Sequence, residues 1–120
     1  MTLTKIVKIA AIACGLACTS MGASAGYSCS GTVGGISLAE NSGEVLIADI
    51  GGTQLKNTRY CSILTETNSV NVTACKTFYA SMLAAMTSDR VVEIWINNSL
   101  TCTTNPEWAN VTGFYYSVIK

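Results

Sequence analysis

The stretch ACKTFYASMLAAMTSDRVVEIWINN, residues 74–98, changes its apolar period halfway along. Up to Met86, apolar residues recur every three to four positions, as in an amphipathic helix; from Val91 they recur at every second position, as in a strand with one buried face. The stretch therefore predicts a helix that leads directly into a strand. We expect Thr73 to be the helix N-cap and the apolar helix face to consist of Cys75, Phe78, Tyr79, Met82 and Met86, with Leu83 at its edge.

Four further segments have the composition or alternation of strands. The first is rich in Gly, Ser and Thr and predicts only a weak strand, whereas the second alternates strongly and ends at Gly51 and Gly52. Gly113 indicates a bend or bulge in the last. In chain order the five predicted strands lie at 27–39, 43–50, 57–67, 91–97 and 111–120.

Three strands, a helix and two strands is the element order of the OB-fold, a partly open Greek-key barrel. A ferredoxin-like sandwich would need a second helix, and an immunoglobulin-like sandwich would need about seven strands and no helix. We therefore predict a mainly β domain with one helix, folded as a small five-stranded OB-like barrel.

The first 25 residues have the features of a signal peptide. Lys5 and Lys8 provide a positive flank, an apolar run follows, and Ala23-Ser24-Ala25 has the spacing that signal peptidase recognises. The apolar run is too short and too interrupted for a membrane anchor. We expect residues 1–25 to be removed and residues 26–120 to form a single secreted or periplasmic domain with no membrane span.

Four cysteines remain in the predicted mature domain. After export, an even count in a small domain indicates disulfides. A zinc site is the competing interpretation, but the chain has no histidine and these cysteines form no CxxC pair, so we predict no metal and no cofactor. In an OB barrel the first and fourth strands are neighbours, which predicts one bridge between Cys29 and Cys102 and a second between Cys61 and Cys75.

Charge and residue types argue against two function classes. The predicted mature domain has five cationic and seven anionic side chains, a net charge of −2, and lacks the basic face that nucleic acid requires. Without histidine, free cysteine or a GxSxG, SxxK or HExxH pattern, we predict no catalytic residue and no enzymatic activity. A glycosidase pair of carboxylates is the remaining catalytic alternative, but most of the acidic residues lie beside turns.

Two features are candidates for binding or subunit contact. Trp95 alternates with Ile94 and Ile96, so its ring is expected to point out of the barrel, where it would stack on a sugar or pack against a subunit; the alternative is burial in a second small core. The helix side opposite the apolar stripe is small and uncharged, which predicts either an oligomer contact or a solvated face of low charge. Its residues are Thr77, Ala80, Ser81, Ala84 and Ser88.

The last strand contributes Phe114, Tyr115 and Tyr116, and the loop before it contributes Trp108. One alternate set of strand residues should lie in the core and the other at the surface. An exposed aromatic ring here would also suit a sugar.

A cysteine in the third strand, a second one in VTAC, and then FYASMLAA and VVEIWIN resemble the pentameric B subunit of subtilase cytotoxin and its relatives among the pertussis-like toxins. The similar region is about Tyr60 to Asn98, under half of the predicted mature chain. The resemblance implies an OB-fold subunit that assembles as a ring, recognises sialylated or other host glycans, and has a toxin A-type subunit as partner. That family's pocket uses a serine and acidic residues near the first strand, and no residue here is assigned to it.

The first hypothesis is therefore a secreted OB-like binding module that binds glycans as a ring-forming homo-oligomer. The alternative is a secreted or periplasmic protein–protein interaction or inhibitor domain without glycan binding, which offers an exposed edge or loop to its partner.

Overall fold

A computed structural model describes residues 26–120, and the predicted signal peptide lies outside the described residues. Five strands and one helix follow one another in the predicted order, so the prediction of a mainly β domain with one helix is confirmed. Within residues 26–120 no helix is long and apolar enough to cross a bilayer. The elements are β1 (Tyr27–Leu38), β2 (Glu44–Ile50), β3 (Thr58–Ser62), α1 (Val72–Thr87), β4 (Val91–Ile96) and β5 (Phe114–Ile119).

The five strands form one antiparallel sheet in the order β3-β2-β1-β4-β5. β1 is its central and longest strand, which corrects the prediction that this segment is weak. Glycine in this strand lets another segment of backbone approach closely, because a Cβ on Gly31 would lie 2.7 Å from the backbone of Gly51. Irregular pairing around Gly35 then allows β1 to pair with β4 through residues 27–32 and with β2 through residues 33–38.

The sheet does not close into a barrel, because β3 and β5 lie at its two ends and do not pair with each other. The segment before β5 runs parallel to β3 instead. The Arg59 N–H donates to the Ala109 carbonyl at 3.0 Å, and the Arg59 carbonyl accepts from the Val111 N–H at 2.8 Å. These backbone hydrogen bonds therefore join the two ends of the sheet beside the first residues of β3.

β3 ends at Ser62, five residues before the alternation in the sequence predicts. The Ser62 hydroxyl oxygen accepts hydrogen bonds from the N–H groups of Leu64 and Thr65 at 3.1 and 3.3 Å. A serine that bonds the backbone two and three residues ahead turns the chain away from an extended course. β3 is therefore too short to extend alongside β5.

The helix begins two residues earlier than predicted. Asn71, not Thr73, is the N-cap, and its side-chain oxygen accepts from the Ala74 N–H at 2.8 Å. The apolar stripe packs on the sheet as expected from its spacing. Cys75, Phe78, Met82 and Ala85 are buried, and Tyr79 and Met86 are partly buried.

Three aromatic rings connect the helix to both ends of the sheet. The ring centroids of Tyr60 on β3, Phe78 on α1 and Phe114 on β5 lie 4.8 to 5.3 Å apart, in tilted and edge-on arrangements that aromatic pairs favour. Tyr60 is completely buried, and its hydroxyl is hydrogen-bonded to the Thr58 hydroxyl at 2.9 Å. Burial raises the pKa of Tyr60, because the charged phenolate would lose its hydration.

Two disulfides fasten this arrangement. Cys29 on β1 is joined to Cys102 in the loop after β4, and Cys61 on β3 is joined to Cys75 in the first turn of α1. These are the two pairs that the order of strands predicts. The first closes 73 residues of chain and the second closes 14.

Replacing both Cys29 and Cys102 by serine should lower the free energy of unfolding more than replacing both Cys61 and Cys75. In the chain-entropy model a disulfide contributes more when it closes a longer loop, about 4 kcal/mol for the first bridge and about 3 kcal/mol for the second. Urea unfolding of the two double variants measures the difference. A larger loss for the shorter loop would contradict this expectation.

The buried phenol of Tyr60 should make the domain sensitive to alkali. Because its folded pKa lies above the unfolded value of about 10, the contribution to stability is complete below pH 10 and falls as the pH rises further. Tyr60→Phe should reduce the fall in the urea midpoint between about pH 8 and pH 11. The control Tyr116→Phe removes an exposed phenol and should leave the fall unchanged.

Candidate functional site

The loop between β4 and β5 is fixed by hydrogen bonds between side chains. The Tyr27 hydroxyl donates to the Asn98 side-chain oxygen at 2.7 Å and accepts from the Asn105 amide at 2.8 Å. Asn98 also donates to the Thr112 carbonyl at 2.8 Å, close to the start of β5. Together with the bond from Cys102 to Cys29, these contacts give a long loop a defined course.

Trp108 lies in this loop in an unfavourable backbone conformation. Its φ is +61°, in the left-handed region that bulky side chains rarely adopt, and its ring is 60% exposed. The Trp108 N–H donates to the Asn57 carbonyl at 2.7 Å, which holds the residue against the start of β3. The fold thus keeps a large apolar ring at the surface in a strained conformation, a combination that is typical of functional positions.

Trp108 borders a depression of about 450 Å³ on the outer face of β1, β2 and β3. Leu46 and Ala48 of β2 form its apolar floor. An ion pair between Arg59 and Glu44, 3.2 Å apart, forms a polar wall, and both side chains remain partly exposed. We call this surface the Trp108 platform; it consists of Trp108, Leu46, Ala48, Arg59, Glu44 and Asn57, with Ser37, Leu38 and Ala39 at its rim.

The platform combines an aromatic plane with donors and acceptors at fixed positions. The Arg59 guanidinium and the Glu44 carboxylate neutralise one another, and the Asn57 amide donates to the Glu107 carboxylate at 3.0 Å. Sugars have an apolar face of C–H groups and a rim of hydroxyls, which such a surface matches by stacking and by hydrogen bonding.

Trp95 lies elsewhere on the sheet. It is half-buried on the outer face of β4, where it is paired across strands with Ser28 and Tyr116, while Ile94 and Ile96 on the inner face are fully buried. Its outward direction agrees with the alternation of the strand. The structure does not bring it to the Trp108 platform, because β1 and β2 lie between β4 and β3.

Glu93 lies on the same outer face of β4, two residues before Trp95. It forms an ion pair with Lys120 and accepts a hydrogen bond from the Ser30 hydroxyl at 3.3 Å. The hydrogen bond from Lys120 lowers the pKa of Glu93, because it stabilises the ionised carboxylate. This cluster fastens the end of β5 to β4 and β1.

The predicted helix residues divide between a groove and an open surface. Thr77 and Ser81 line a groove of about 720 Å³ between α1 and β5, whose opposite wall includes Tyr115 and Tyr116. Ala80 and Ala84 are exposed on the same helix. The structure therefore brings Thr77 and Ser81 together with the aromatic residues of the last strand, but not with Trp95.

Comparison of the chain with models of protein families, with curated proteins and with solved structures finds no match.

Sequence reasoning did not single out Arg59, Glu44 or Asn57 as parts of a site. Alternation along β2 and β3 could have indicated the ion pair, because it places Glu44 and Arg59 on the solvent face of neighbouring strands. The positive φ of Trp108 has no such signal, because the residues that usually indicate this conformation are Gly, Asn and Asp.

Trp108→Gly should leave the stability of the domain unchanged or raise it. Glycine adopts φ +61° without the penalty of about 1–2 kcal/mol that a side chain incurs, and the largely exposed indole contributes little burial. The thermal unfolding midpoint measures the effect. Trp95→Gly, at a half-buried strand position, is the matched control and should lower it; an equal loss at Trp108 would show that the ring is structural.

Proposed function

We propose that this chain is a secreted glycan-binding module and that the Trp108 platform holds the sugar. The observation that carries the proposal is the exposed Trp108, held at positive φ beside the Arg59–Glu44 ion pair. The resemblance of residues 60–98 to toxin B subunits supports a glycan as the class of ligand. Two disulfides are typical of proteins exported to an oxidising compartment.

We also propose that the sheet is an OB-like barrel left open between β3 and β5. Support comes from β1, which pairs with both β2 and β4, from the helix between β3 and β4, and from the parallel bridge between Arg59 and Asn110. OB-folds bind oligosaccharides on the face of strands 2 and 3 and with the loops that join strands 1 to 2 and 4 to 5. The Trp108 platform is built from those strands and from the second of those loops.

In this proposal the C–H face of one sugar ring stacks on the Trp108 indole. The hydroxyls at its edge donate to Glu44 and accept from Arg59 and Asn57, which lie along the same wall. A sugar carboxylate would have to compete with Glu44 for Arg59, whereas hydroxyls use both members of the pair. Hydroxyl-rich neutral sugars therefore fit this surface with less rearrangement than sialylated ones.

A glycan array carrying neutral and sialylated sugars, followed by titration of the best ligand, tests the proposal. Trp108→Ala should raise the dissociation constant at least about tenfold, because it removes the stacking surface. Trp108→Phe should retain part of the affinity. Trp95→Ala is the control outside the platform and should bind normally; a folded protein that binds no sugar on the array would overturn the proposal.

A protein–protein interaction or inhibitor domain is the second candidate function. A different observation favours it, namely the outer edge of β5, which pairs with no strand within residues 26–120, and the groove beside it. The same array separates the two functions, because an interaction domain of this kind would bind no sugar.

A further inference from the structure

β5 is an edge strand whose outer side pairs with no other strand in the described part of the chain. The Lys120 N–H donates to the Val91 carbonyl at 2.8 Å, so this residue faces β4. Backbone groups alternate in direction along an antiparallel strand. Ser117 and Ile119 therefore present their N–H and C=O groups to the open edge.

This edge has little of the usual protection. Natural edge strands are guarded by charges, proline, bulges or a covering segment. Phe114–Ile119 contains no charged residue and no proline, and its pairing with β4 is irregular only between Phe114 and Tyr116, before the outward groups of Ser117 and Ile119. Three of the six large apolar side chains that are exposed in residues 26–120 belong to β5: Tyr115, Tyr116 and Ile119. A fourth, Val91, lies beside the end of β5. Four of the six exposed large apolar side chains thus lie on β5 or beside it.

The surface of α1 beside this edge can accept another chain. Ala74, Thr77 and Ser81 line the groove between α1 and β5, and none of the described residues that line it is charged. Small uncharged side chains allow a backbone or an aromatic ring to approach closely without losing the hydration of a charge. The groove, of about 720 Å³, lies directly beside the open edge. A second chain that pairs with the edge can therefore also bury the lining of the groove.

The opposite end of the sheet is already occupied by the chain itself. Both backbone groups of Arg59 are bonded to the segment before β5, and the Tyr60 carbonyl accepts from the Asn68 amide at 3.0 Å. A second copy could not pair its β5 with this edge without displacing those bonds. Head-to-tail strand pairing is therefore disfavoured, and pairing of β5 with another β5 remains.

We propose that two copies of the chain associate through antiparallel pairing of their β5 edges about a two-fold axis. An antiparallel edge is complementary to a second copy of itself, because each outward N–H meets a carbonyl of the partner. The charges agree with this direction. Arg90 and Lys120, the latter ion-paired with Glu93, lie at the end of β5, whereas residues 110–114 before and at its start are uncharged, so antiparallel pairing keeps the cationic side chains of the two copies apart.

In the dimer the aromatic side chains of each β5 are covered by the other copy, and the uncharged face of α1 lies at the margin of the contact. The Trp108 platform lies on other strands and stays open in both copies. The proposal does not rest on glycan binding, and a failure of one leaves the other intact.

Light scattering after size exclusion, over a range of concentrations, tests the dimer. Wild-type protein should have twice the monomer mass. Ile119→Lys places a charge on the edge and should weaken association at least about tenfold, to monomer at the same concentration. Leu64→Lys is the matched control, because it replaces another exposed apolar residue away from β5, and it should remain dimeric.

Ser117→Pro removes one outward N–H and should also yield monomer. Should that variant fail to fold, amide hydrogen exchange supplies the same information: the Ser117 and Ile119 amides should be protected in concentrated wild-type protein and unprotected in Ile119→Lys. A wild-type monomer at millimolar concentration, a dimer unaffected by Ile119→Lys, or a five-subunit mass as in the ring that the toxin resemblance implies would each overturn the proposal.

Discussion

β1 is the strand of the sheet that pairs with both of its halves, and the strand order depends on that connection. Its first half pairs with β4 and its second half with β2, so strand pairing joins β4–β5 to β2–β3 through β1. The change of partner requires the backbone to approach closely at Gly31 and to pair irregularly around Gly35. A domain of this size buries only about two-thirds of the surface that its unfolded chain exposes, so this junction needs support. The buried disulfide from Cys29 provides it.

Across the open side, side chains take the place of strand pairing. Tyr60 and Phe114 meet edge-on at 5.3 Å, and Phe78 from the helix packs on both rings. The Asn68 amide donates to the carbonyls of Tyr60 and Val111, which ties β3 to the segment before β5. These contacts hold the two ends of the sheet close together without using the outer backbone groups of β5. A groove therefore remains between α1 and β5, and the outer edge of β5 stays open beside it.

The order of the elements can be predicted from the sequence, but whether the sheet closes cannot. The change of period between Met86 and Val91 predicts α1 and β4 because both elements have one buried face, which leaves a regular apolar pattern. β1 is underestimated because its glycines reflect close backbone approach, a property of the packed sheet that no local pattern records. The early end of β3 at Ser62 likewise depends on a side-chain turn inside a segment that still alternates.

In the candidate site, too, the sequence predicts the residues that lie in a regular strand and not those that lie in an irregular loop. The outward direction of Trp95 is predictable because a strand alternates, and the structure agrees. Trp108 lies in an irregular loop whose course is fixed by hydrogen bonds that join Asn98 and Asn105 to Tyr27, which is 71 and 78 residues away from them in sequence. Neither its exposure nor its positive φ leaves a periodic signal, so the sequence identifies it as an aromatic residue near the last strand and no more.

The proposed sugar binding at the Trp108 platform would gain from the proposed self-association. Affinity at a single open site of about 450 Å³ is limited by the contact that it offers and by the cost of ordering the ligand. Two platforms fixed on one dimer would bind a glycan-covered surface with an effective concentration that a monomer lacks, which strengthens attachment without any new contact to the sugar. The strand that forms the edge contributes nothing to the platform, so each surface can change in sequence without loss of the other.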